Sequence, residues 1–61
     1  MLKVTNYVVE GERTRNTDTM EFNYDVGKWG CDEDVARLWV QDEVKAEYGT
    51  GIEPDFEMIF P

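Results

Sequence analysis

Histidine and serine are absent from this chain, and cysteine occurs once, at Cys31. The missing histidine removes the commonest general base and metal ligand near neutral pH. A lone cysteine cannot bridge within the chain, and without histidine it cannot complete an ordinary zinc site. No threonine or lysine sits in a recognisable nucleophile setting, and the glycines at 27, 30, 49 and 51 are spaced for turns instead of a phosphate cradle. No stretch approaches the ~20 apolar residues that span a bilayer. The opening MLKVTNYVV runs straight into charged residues without a small-residue cleavage site, so it does not read as a signal peptide. These absences predict a cytoplasmic chain that uses no cofactor or metal and performs no catalysis.

The chain has 61 residues, room for one domain only. A domain of this size buries roughly 60% of the surface its unfolded form exposes, so its core is marginal. Either the small core suffices, or a second copy covers what one chain leaves open. Eight aromatics within a 41% hydrophobic composition are too apolar for a disordered acidic tail. Fourteen acidic residues face six basic ones, a formal charge of −8. Such a field repels nucleic acid and anionic membranes and attracts basic surfaces, which proteins that handle nucleic acids carry. Solubility or adaptation to salt would produce the same charge.

Leu2 to Val9 are rich in β-branched and aromatic types and read as a strand. Leu2, Val4 and Val8 fall on one face, interrupted by Asn6, with Lys3, Thr5, Tyr7 and Val9 on the other. The polar stretch Glu10 to Asp18 reads as a hairpin loop. From Thr19 to Val26, Met20, Phe22, Tyr24 and Val26 alternate with Glu21, Asn23 and Asp25, one face buried and one wet. Gly27 and Gly30 bracket a turn holding Lys28 and Trp29. A helix follows, N-capped by Cys31 or Asp32, with Asp32, Glu33 and Asp34 suiting the helix dipole and Gly49 and Gly51 supplying the stop. Ala36, Val40, Val44 and Tyr48 make its apolar stripe. After Pro54, Asp55 to Phe60 form a last short strand.

The expected fold is α+β: a single β-β-α-β domain, a three-stranded antiparallel sheet of order 2-1-3, with one helix packed on one face. The crossover is right-handed, and the last strand runs in the same direction as the second. The expected core is Val4, Val8, Met20, Phe22, Tyr24, Ala36, Val40, Val44, Phe56 and Met58.

Candidate residues all concern partner binding. Asp32, Glu33 and Asp34 lack the alternating ligands and central glycine of a calcium loop and read as helix capping, not a metal site. Cys31 at a helix N-terminus could be reactive, but three acidic neighbours disfavour the thiolate, and a small cap or half-buried hydrophobe is the preferred reading. Leu38 lies ~160° from Val40 around the helix, so both cannot face one sheet. Either Leu38 or Trp39 is expected to meet another chain, with Trp39 the better core candidate. The open sheet face would gather Glu21, Asn23 and Asp25 beside Lys3, Thr5 and Tyr7, with Asp55 and Glu57 across it, an acidic surface fit for a basic partner. Arg13 and Arg15 sit at the hairpin tip, either solvated or gripping a carboxylate.

A strand hairpin, a helix with an acidic first turn running V-A-x-x-W-V…V…Y-G from Val35 to Gly49, and a short final strand resemble tiny phage-encoded proteins. Two groups are similar in layout: the small acidic inhibitor of host RNA polymerase and some small anti-CRISPR proteins. The resemblance implies a chain that acts in the host cytoplasm by occupying a site on a nucleic-acid machine. The polymerase inhibitor carries arginines on its last strand; DFEMIF has none, so no contact residue carries over.

Overall fold

The computed structural model describes all 61 residues, as a small α+β domain with one main helix on a three-stranded antiparallel sheet. Its elements are β1 (Leu2–Thr5), β2 (Tyr7–Val8), β3 (Arg15–Asn16), β4 (Met20–Phe22), α1 (Val26–Trp29), α2 (Glu33–Tyr48) and β5 (Glu57–Ile59). The sheet order is β4-β1-β5, and β1 pairs antiparallel with both neighbours. Leu2 stands opposite Phe22, and Val4 between Met20 and Met58. Leu2 and Val4 are fully buried beneath α2 with Ala36, Val40 and Val44. Each buried leucine or valine among these contributes about 1.5–3 kcal/mol.

The first strand is not continuous over residues 2 to 9. Asn6 adopts φ 59°, a left-handed conformation that its short polar side chain tolerates. One residue in that conformation advances the chain without the normal pleat, so the facing of the side chains reverses beyond it. Tyr7 and Val9, expected beside Lys3 and Thr5, therefore pack against the core, while Val8 is buried outside the main cluster.

The expected hairpin loop holds structure of its own. β2 pairs with β3 as a separate two-stranded ribbon, Tyr7 opposite Asn16 and Val8 opposite Arg15. On its other side β2 meets the segment after α2, through a Val9–Ile52 bridge and hydrogen bonds from Glu10 N to Gly51 O (2.9 Å) and from Glu53 N to Val8 O (2.8 Å).

The second strand stops at Phe22, earlier than its alternation suggests, because its ladder ends with Leu2. Tyr24 is buried from a non-strand backbone, and the expected Gly27–Gly30 turn is the short helix α1. The Asp25 carboxylate accepts from Lys28 N at α1's N-terminus, so that side chain caps a helix and does not lie on the sheet. β5 is shorter than the expected 55–60 span. Met20 and Met58 are half-buried at the margin of the core, whereas Leu2 and Ile52, outside the expected set, are fully or almost fully buried.

α2 follows its punctuation. Asp32 Oδ1 accepts from Asp34 N at 2.9 Å and Val35 N at 3.3 Å, and Gly49 closes the helix at φ 77°. Gln41 donates to Ile52 O at 3.1 Å, and Arg37 donates to the carbonyls of Pro54 and Phe56 with its guanidinium 4.7 Å above the Phe56 ring. Those contacts fasten the stretch between α2 and β5 along one flank of the helix. No helix is long and apolar enough to cross a membrane.

Candidate binding surfaces

The candidate residues divide among separate surfaces. On the open sheet face, Lys3 stands between Glu21 and Ile59, and Thr5 stands beside Glu57. Glu21 and Glu57 thus share this face, but a lysine lies at its centre and it is less acidic than the sequence pattern suggests. Asp25 has left it for the α1 cap, and Tyr7 has left it through the reversal at Asn6.

Leu38 and Trp39 point in different directions. Trp39 packs edge-on against Phe22 (6.0 Å between ring centroids) and Tyr24 (5.1 Å), so it forms the wall of the core next to β4. Leu38 is 66% exposed on the outer face of α2, with Val35 exposed one turn away. Buried Tyr24 also approaches Phe60, and its hydroxyl has no hydrogen-bond partner. Burial first, then the nearby Asp32 and Cys31, push that phenol's pKa upward, so it stays protonated.

The two hairpin arginines also differ. Arg13 is exposed, whereas Arg15 is clamped: its guanidinium donates to Asn6 O (2.6 Å), Asp55 O (3.2 Å) and the Asp55 carboxylate (2.5 Å). The arginine ties the β2–β3 ribbon to the approach to β5 and holds the Asn6 turn in place. Its hydrogen bond is the main cause of an Asp55 pKa below the ordinary value.

A feature that strand alternation does not display lies under the C-terminal end of α2. Tyr7 and Val9, Met20, Val44 and Tyr48, and Thr50 and Ile52 line an open groove of about 300 Å³ with Thr50 its one polar member. Tyr48, expected to complete the buried stripe of α2, is 63% exposed at its mouth. The signals in the sequence were Asn6, a residue tolerant of left-handed backbone within a strand pattern, and an aromatic one residue before the helix stop.

Comparisons with protein-family models, curated proteins and solved structures find no match for this chain.

Proposed function

We propose that this chain is a small acidic binding protein of a phage or mobile element. It docks on the basic surface of a host protein or complex that handles nucleic acid, such as a CRISPR effector or RNA polymerase, and inhibits it without chemistry of its own. One observation carries the reading: all fourteen carboxylates are solvent-exposed, and Asp55 alone is ion-paired. Six basic side chains offset part of this charge and leave a net −8, and Lys3, Arg13 and Lys45 among them are exposed. Arg15 and Arg37 are turned onto the chain's own groups, and Lys28 lies over Trp29 at 4.9 Å. The net negative field steers basic partners toward the chain and away from anionic polymers.

The test is capture from bacterial lysate on immobilised protein, with identification of what salt elutes. Basic nucleic-acid-binding proteins released by salt and displaced by added RNA or DNA are expected. Recovery of neutral or acidic proteins indifferent to salt would contradict the reading.

A second reading, a homodimeric structural or assembly protein, is favoured by exposed Val35 and Leu38 on α2. Sedimentation equilibrium separates the two: a strict monomer at high concentration removes the dimer.

A further inference from the structure

We infer that the groove beneath the end of α2 receives one large apolar side chain carried on a Lys/Arg-rich segment of the partner protein. The inference rests on the basic-partner reading above and locates its anchor. Two independent properties of the groove point to that occupant.

The first is its size and lining. About 300 Å³ lies at the bottom of the range of ligand pockets and is open on one side. It suits an inserted side chain better than an enclosed small molecule. Its walls are apolar apart from Thr50, so an apolar group is what gains most by entering. Exposed Tyr48 can lie along that group, an aromatic surface of low conformational cost and the kind that anchors interfaces.

The second is the charge around it. Counting around α2 from Val40, the centre of its buried stripe, Glu47 lies ~20° and Glu43 ~60° away, both toward Trp39. Trp39 packs on Phe22 of β4, so this flank overhangs the strand that supplies Met20 to the groove. Both glutamates are exposed. Across the groove, Glu10 follows Val9, and its carboxylate rests against Gly51, between the lining residues Thr50 and Ile52. The nearby cation on the helix, Lys45, lies ~60° from Tyr48, on the side of that ring opposite the two glutamates, so one positive charge stands against three carboxylates. Apolar floor and anionic rim together select an apolar side chain flanked by positive charge, and they reject the same side chain in an acidic setting.

The experiment is a titration of isotope-labelled protein followed by amide chemical shifts. Three synthetic peptides of equal length serve as probes: a Lys/Arg-rich peptide with one central leucine, the same peptide with alanine, and a Glu-rich peptide with leucine. The basic leucine peptide should shift Tyr7, Val9, Tyr48 and Ile52 and bind about tenfold tighter than its alanine counterpart, a factor one buried leucine supplies. Tyr48→Ala, at an exposed site, should keep the fold and erase that difference. Equal affinity of the two basic peptides, with no shifts in the groove, would overturn the anchor while leaving charge-steered docking intact. Binding of the Glu-rich peptide as tight as the basic one would overturn the charge selection here and the acidic-docking reading with it. Groove shifts produced by dilution of the protein alone would assign the groove to a second copy instead.

Discussion

The two ends of the layer between α2 and the sheet are built from similar residues and finished differently. In the N-terminal half of α2, Trp39 closes on Phe22 and Tyr24, with Phe60 beside them. At the C-terminal end, Val44 and Ile52 form a floor, but Tyr48 stands out in solvent and Tyr7 and Met20 stay half-covered. Aromatic rings seal one end; at the other the helix stops at Gly49 and the strand turns at Asn6 before a seal can form. The closed end therefore packs its aromatic rings against one another, and the open end leaves apolar surface uncovered.

The largest expected effect falls on the closed end. Trp39→Ala should cost about 2–3 kcal/mol in urea unfolding, somewhat below the value for a fully buried aromatic. A cost near zero would mean that this end is not sealed by the ring. Asn6→Val comes next: a β-branched residue held at positive φ should cost about 1–2 kcal/mol, while Asn6→Gly stays within about 0.5 kcal/mol. Equal effects of the two would show that the strand does not reverse there.

Acid gives the third contrast. The Asp55 pKa is lowered in the folded chain, so the Arg15 clamp contributes fully above the unfolded carboxylate value and is lost as pH falls through the folded one. Thermal unfolding from neutral to acidic pH should show a smaller acid-induced drop in Tm for Arg15→Gln than for the wild type. Parallel curves would remove the clamp from the account. The smallest effects belong to Tyr24→Phe and Tyr48→Ala. Removing the buried, unpartnered Tyr24 hydroxyl should leave Tm unchanged or raised. Tyr48→Ala should stay within about 0.5 kcal/mol.

The closed end was largely legible in the sequence, because local rules govern it. Alternation through Phe22 and Tyr24, the Ala36-Val40 part of the helix stripe and the Asp32 cap each follow from neighbours a few residues apart. The open end depends on events that such rules cannot weigh. A single left-handed residue, Asn6, moved Tyr7 from the wet face to the groove, and Arg15 found its carboxylate partner forty positions away. Asp25 looked free on a strand but was recruited to cap α1. Alternation reports which residues share a face only until the backbone leaves the pleat, and it carries no information about a cap formed beyond the strand.

The most direct test of the division between a closed end and an acid-rimmed open end is the association rate of the basic leucine peptide, measured by stopped-flow over a range of salt. The Debye length shrinks from about 30 Å at 0.01 M to about 10 Å at 0.1 M, so steering by the rim must fade across that interval. For the wild-type chain, the rate should fall steeply with salt. For Glu43→Lys combined with Glu47→Lys, the low-salt rate should drop and the salt dependence flatten, with Tm little changed. Identical rates and slopes for the two proteins would contradict the account, because charge at the rim would then play no part in bringing a basic partner to the groove.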